Sequence, residues 1–443
     1  MTLPAYDPTS PQSILEYAGK LYGKSLLEAI EETSIPENIQ DKGKLGSLVE
    51  QLFFRITPGN DHAPDFKDAG VELKTTGLKL NTKKELRAKE RLVLTMINYL
   101  DIVDESFQSS TFFVKCQLML LLFYLYEKDL KIYERRFVLK PLLFTFPEED
   151  LAIIKKDWET IQQKIKDGRA HELSEGDTFY LGACRKGAGG IDEVLRKQPF
   201  SEIGAKSRAF SLKPSYMNLV LDRHIADESV LDESILVTAG IEEATLSRFA
   251  PYIGKKIDEL SAIFGHLYKG KNHKGFYREL AMHMLGAAGK RSVPELEKAG
   301  IETKIIRLQE NGIPKEDMSF PTFKYMDIIN EGWEDSSFFD RLERKFLFVV
   351  FQYDADGNLH FTRAKYWNMP YEDREEARRV WEDTKRRVLI DASDLPKITE
   401  SHVAHVRPKA KDGNDTLPTP QGLHLVKKCF WLNKKYIAMQ LSQ

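Results

Sequence analysis

At 443 residues the chain exceeds what one hydrophobic core ordinarily serves, so two or three domains are expected. Hydrophobic residues at 42% and charged residues at 30% exclude collagen, a continuous coiled coil and wholesale disorder. Lysine and arginine (65) nearly cancel aspartate and glutamate (67), so an anion-binding surface has to come from local clustering.

Residues 1–10 carry no basic region followed by an apolar run, and no signal peptide is expected there. The segment 19–25 imitates a phosphate-binding loop but is one residue short and sits in a helical pattern. Leu45, Leu48, Val49 and Leu52 have helical spacing, whereas 71–75 alternates as a strand. Residues 92–97 and 118–126 read as further strands. The second of these is apolar along its nine residues, far below the roughly 20 that a membrane helix needs, and predicts a strand buried on both faces with no membrane partner. An amphipathic helix follows over 150–167. Cys116, Cys184 and Cys429 are far apart with no Cys-x-x-Cys pair, which predicts neither disulfides nor structural zinc and fits a cytoplasmic protein. His402 and His405 have no evident third partner for a metal.

The chain repeats itself. The block from Pro64 to Lys74, with Gly70-Val71-Glu72-Leu73-Lys74, returns as Pro294 to Lys304 with Gly300-Ile301-Glu302-Thr303-Lys304, 230 residues later. Gly23 to Glu28 matches Gly254 to Glu259, and Gly46 to Glu50 matches Gly275 to Glu279. Asp101-Ile102 matches Asp327-Ile328, each followed by a Phe-Phe pair (Phe112-Phe113, Phe338-Phe339), and Trp158 matches Trp381. Five landmarks in register indicate a duplicated domain, with residues 1–225 and 246–443 as the copies and 226–245 as the linker. Each copy is predicted to be mixed α/β: helices, three strands, a helix and two short strands.

The sharpest chemical constellation is Asp65, Glu72 and Lys74. A strand puts Glu72 and Lys74 on one face while Val71, Leu73 and Thr75 face the core, and Asp65 at an upstream turn can fold back beside them. Two carboxylates and an ammonium at a strand edge can hold Mg²⁺ and activate a water. By itself this spacing also suits an exposed Glu–Lys pair. Glu50 beside an apolar helical stripe, and recurrence of the spacing one copy later, favour the site.

Asp65…Glu72-Leu73-Lys74-Thr75, preceded by Asp41-Lys42-Gly43 and Gly46-Ser47-Leu48-Val49-Glu50, resembles the MutH-type nucleases. This family joins the mismatch-repair strand-nicking enzyme and the GATC-specific type II restriction endonucleases within the PD-(D/E)xK fold. The resemblance implies that Asp65 and Glu72 ligate Mg²⁺, that Glu50 completes the site and that Lys74 orients the attacking water. Lys42 would touch a phosphate, and Lys115 is the counterpart of a further catalytic lysine. Base reading in the family comes from a basic loop after the amphipathic helix. Arg185-Lys186-Gly187-Ala188-Gly189-Gly190 holds that place in the first copy, and Arg407-Pro408-Lys409 holds it in the second. Arginine can bond guanine O6 and N7 together in the major groove. Lys213 and Lys434, beside aromatic residues near each copy's end, are further candidate DNA contacts, and residues 79–91 carry six basic side chains against two acidic.

The sequence thus predicts two tandem restriction-endonuclease-like α/β domains. The function expected is Mg²⁺-dependent cleavage of double-stranded DNA at GATC by a monomer that dimerises on DNA. Glu295 stands where Asp65 stands, so the second copy is expected to bind a further site as an effector without cutting. A non-catalytic DNA-binding regulator and a mismatch-repair-type nicking enzyme remain open as alternatives.

Overall fold

The computed structural model describes residues 5–31, 45–57, 62–186, 194–226, 240–265, 275–289 and 293–442. The first copy opens with α1 (Pro11–Ala18), α2 (Leu26–Ile30) and α3 (Leu45–Leu48), the last running on into a π-helical turn, Val49–Phe54. Ser10 starts α1 by accepting from the Ser13 N–H, and Ser25 with Glu28 forms a reciprocal capping box on α2. Then follow β1 (Glu72–Leu80), β2 (Leu86–Ala88), β3 (Leu92–Met96), α4 (Thr111–Cys116), β4 (Met119–Leu125), β5 (Leu142–Phe144) and α5 (Glu148–Lys166). β6 (Leu181–Arg185), β7 (Arg196–Gln198), β8 (Ser201–Ala205), β9 (Arg208–Leu212) and α6 (Pro214–Ala226) complete the copy.

One sheet has the order β2-β1-β4-β5, with β1 and β4 parallel and Glu72 opposite Met119; the other has the order β3-β9-β6. The apolar run 118–126 is the central strand of the first sheet. Leu120 and Leu122 pack into one core cluster, and Met119, Leu121 and Phe123 into another on the opposite face. The basic stretch 79–91 is an ordered β1–β2 hairpin rather than a loose loop, with Leu78 opposite Ala88.

The second copy contains α7 (Ile241–Phe249), α8 (Ile257–Ile263), α9 (Phe276–Met284), α10 (Pro294–Lys298), β10 (Glu302–Leu308), β11 (Met318–Thr322) and α11 (Ser337–Leu342). It continues with β12 (Phe346–Tyr353), β13 (Leu359–Trp367), α12 (Tyr371–Ile390), β14 (Ala404–Pro408), β15 (Thr416–Pro418), β16 (His424–Val426), β17 (Lys428–Leu432) and α13 (Lys434–Ser442). The duplication extends to single bonds. β10 lies parallel to β12 as β1 does to β4, and β11-β17-β14 repeats β3-β9-β6. The Gly23 N–H donates to Phe137 O and the Gly254 N–H to Phe361 O, both at 2.8 Å. Ser110 and Ser336 cap matching helices, and Gly70 and Gly300 share φ values of +66° and +64°. Each copy also ends in a helix (α6, α13) and carries an extra β-hairpin, β7–β8 or β15–β16, beyond the two short strands expected. α7 begins inside the expected linker; residues 227–239 lie outside those described.

The copies share a core. One continuous apolar cluster joins Phe123, Trp158 and Leu212 of the first to Leu280, Leu296 and Phe351 of the second. A buried polar seam crosses the same boundary. Lys298 Nζ lies 2.9 Å from the Asp150 carboxylate, which also accepts from Tyr216 Oη at 2.9 Å. Lys213, expected to contact DNA, is instead 6% exposed, and its ammonium donates to Thr178 O at 2.9 Å and Ala299 O at 3.4 Å. Burial brings its pKa down to about 7, and a phosphate cannot reach it in this structure. Losing one partner of a buried pair strands the other charge, so Lys298→Met is expected to cost about 3–5 kcal/mol in denaturant-induced unfolding. Among the described residues no helix is long and apolar enough to cross a membrane.

Candidate active site

Gly70 takes a left-handed turn that folds 65–71 back on the start of β1. Phe66 and Val71 exchange backbone hydrogen bonds of 2.9 and 3.2 Å. The Asp65 carboxylate thereby accepts from the Leu73 N–H at 2.8 Å. Val71 and Leu73 pack into the core, so strand alternation turns Glu72 and Lys74 towards the open side, where Lys74 Nζ donates to Glu72 Oε1 at 2.7 Å.

Glu50 comes from the other direction, on the π-helical turn. Such turns re-aim side chains and recur at functional sites. At Gly46 a Cβ would lie 3.3 Å from Thr75 Oγ1 and 3.9 Å from Glu50 Oε1, so α3 crosses close to β1 here and a larger residue would press on the Thr75 hydroxyl. Lys115, on α4, points at the same centre, 3.4 Å from Glu72 Oε1. Asp65, Glu72, Lys74, Glu50 and Lys115 therefore line one cleft of about 760 Å³. His62, Arg196 and Lys197 share its walls and were not singled out from sequence. His62 Nδ1 sits 2.9 Å from Thr111 Oγ1, and Arg196-Lys197 opens β7, where a short basic pair was the only available signal.

The electrostatics are those of a site short of positive charge. Burial, with the Asp65 carboxylate next, pushes the Glu50 carboxyl up to about 7. Burial also raises Glu72 against the pull of Lys74. For Lys74 burial acts against the charge, but nearby anions, Glu72 foremost, outweigh it and raise its pKa. Glu72 Oε2 is buried without a hydrogen-bond partner among the described residues. A lone buried carboxylate oxygen is costly, and a cation would satisfy it.

Among the described residues no three His, Cys, Asp or Glu side chains form a ready-made metal cage. A magnesium-like ion keeps several waters and takes one or two carboxylates plus substrate phosphate. Asp65 and Glu72 are the residues that could hold it, with Glu50 alongside.

The sign of the Glu50 shift fixes a pH effect. A carboxyl whose folded pKa is raised from 4.5 to about 7 contributes stability below pH 4.5 that is lost as pH rises through 7. Without metal, Glu50→Gln is therefore expected to raise the melting temperature at pH 8 by about 1–3 °C, allowing for partial solvent screening, and by nothing at pH 4.5. Thermal scans at the two pH values check this. A gain that is larger at the acid end contradicts it.

The second copy departs from this pattern. Lys304 Nζ lies 2.7 Å from Glu302 Oε1, but Arg341 Nη1 lies 2.7 Å from Oε2. Both oxygens carry cations, and although burial acts to raise the Glu302 pKa, these partners bring it below its ordinary value. Glu279 is exposed on α9, and Glu295 sits on α10, within the electrostatic reach of Tyr180 and Tyr366. Arg341 was missed from sequence, although it follows Phe338-Phe339 just as Lys115 follows Phe112-Phe113.

The expected DNA-reading residues lie on matching strands. Arg185 ends β6 and pairs with Glu334 of the second copy, which also holds Lys206 Nζ at 2.7 Å. Lys186 is half-buried beside it; Gly187 to Gly190, like Lys42, lie outside the described residues. In the second copy Arg407 stacks on Trp431 at 4.0 Å and bonds Asp317 at 3.0 Å. Lys409 Nζ donates to Phe320 O at 2.7 Å, and the Lys434 N–H donates to Asp317 Oδ1 at 2.8 Å, leaving its side chain half-exposed.

The family model described as DNA mismatch repair enzyme MutH matches the chain twice, at residues 54–157 and 285–380, once in each copy. Fold and site together define a site-specific deoxyribonuclease of restriction-endonuclease type. The type II restriction enzyme Sau3AI of Staphylococcus aureus is 33% identical, over 97% of this chain and 98% of its own. MutH mismatch-repair proteins of Shewanella woodyi and Vibrio campbellii are 27% and 25% identical over 50% and 49% of this chain, and over 95% and 96% of theirs. The chain belongs to the MutH-type restriction endonucleases, in a form with the domain duplicated.

Proposed function

We propose that the first copy hydrolyses double-stranded DNA at GATC with Mg²⁺, and that the second binds a further GATC site as an effector without cutting. The observation that carries this reading is the convergence of Asp65, Glu72 and Lys74 on one cleft, with Glu72 Oε2 buried and without a hydrogen-bond partner among the described residues. Likeness to a type II restriction enzyme along almost the whole chain supports double-strand cleavage over repair nicking, since the MutH proteins match only half of it.

Bound at Asp65 and Glu72, Mg²⁺ would supply charge stabilisation at the phosphate and acidify a water. The protein's own groups set the geometry. Lys74, already donating to Glu72, can give a hydrogen bond that steers the attacking oxygen and steadies its growing negative charge. Lys115 offers a second cation on the same side. Glu50 adds negative charge that draws the metal in. We place the enzyme in the cytoplasm, as a monomer that dimerises on DNA.

Digesting phage DNA with Mg²⁺ and sequencing the ends tests the whole reading. Ends at every GATC, with two-site plasmids cut faster than one-site plasmids, are the expected result. Ends at another sequence, or equal rates on both plasmids, contradict the specificity and the effector role respectively.

A further inference from the structure

The two copies carry the same strand constellation but hold its carboxylate differently. In the first, three carboxylates (Glu50, Asp65, Glu72) meet two lysines. In the second, Glu302 meets Lys304 and Arg341, with one cation on each of its oxygens. One position changes how the shared carboxylate is held, although not the charge: Lys115 of the first copy is Arg341 of the second. An ammonium is a point charge, and Lys115 shares with Lys74 the single oxygen Oε1 of Glu72. A guanidinium is wider, and Arg341 takes the second oxygen of Glu302. A divalent cation does not fit there, because both carboxylate oxygens are already engaged by cations. Phosphate does fit. Both cations stay reachable, with 25% of the Lys304 and 32% of the Arg341 side chain exposed, and the two of them outnumber the one carboxylate they share.

We propose that the second copy's site holds a fixed guanidinium in place of a metal and binds a DNA phosphodiester through Lys304 and Arg341 without any divalent cation. The proposal deepens the reading of the second copy as a binding module, and it assigns that module's contact at the former catalytic centre.

The test uses the full chain and a fluorescent GATC duplex in EDTA, read by anisotropy across a salt series, with Mn²⁺ binding counted in parallel by electron paramagnetic resonance. The intact protein is expected to bind in EDTA. Arg341→Gln should weaken that binding about tenfold and lower the salt slope by about one ion, whereas Arg341→Lys, which keeps the charge, should recover most of it. Glu302→Ala should leave the number of tight Mn²⁺ sites unchanged. EDTA-resistant binding that survives Arg341→Gln intact, or a Mn²⁺ site lost with Glu302→Ala, overturns the proposal. A chain that keeps its tight Mn²⁺ site after Glu72→Ala instead overturns the metal assignment in the first copy, and the EDTA result still decides the second.

Discussion

Lys74→Ala is expected to lower cleavage of a GATC duplex by at least about a thousandfold, with binding of the same duplex held within about tenfold. The asymmetry follows from where Lys74 lies. It is packed against Glu72 at the base of the cleft, whereas other cations, Arg196 and Lys197 among them, line the cleft walls. Losing it removes the group proposed to steer the reacting oxygen, together with the partner of a buried carboxylate. Asp65→Ala should cost as much by another route, since it removes a candidate metal ligand and the acceptor that pins the Leu73 N–H at the strand edge. Single-turnover cleavage with a binding isotherm separates the two quantities. A Lys74→Ala enzyme cutting near the normal rate contradicts the assignment.

Arg185→Ala carries the second large effect. Its guanidinium lies at the end of β6, held by Glu334 from the other copy, and to read guanine it would exchange that carboxylate for a base edge. A bidentate arginine–guanine contact is worth about 1–3 kcal/mol of discrimination, so the variant should bind the cognate duplex about ten- to a hundredfold more weakly and narrow its lead over a single-base variant. Competition binding at fixed salt measures both. An equal loss on cognate and variant duplexes makes Arg185 a phosphate contact.

The duplication was legible because its markers are local. A left-handed glycine before a strand, a serine cap before Phe-Phe, and a central apolar strand each leave a signature in consecutive residues. Asp65, Glu72 and Lys74 were legible for the same reason, since they share one turn and one strand. What escaped depends on contacts distant in sequence. Lys213 beside Phe210 looks like a surface cation, yet the second copy buries it through Ala299 O. Two independent domains joined by a linker also suit the sequence, but a shared core and the Asp150–Lys298 pair join them. Arg341 was readable only by carrying the repeat register through the Phe-Phe pairs, and its meaning lay in which Glu302 oxygen it reaches.

Division of labour between the copies is the central claim, and one comparison tests it most directly: single-turnover cleavage of one GATC duplex by Glu72→Ala and by Glu302→Ala under identical Mg²⁺ conditions. The account predicts a loss of at least about a thousandfold for Glu72→Ala and of less than about tenfold for Glu302→Ala. Comparable large losses for both would show two working active sites and contradict it.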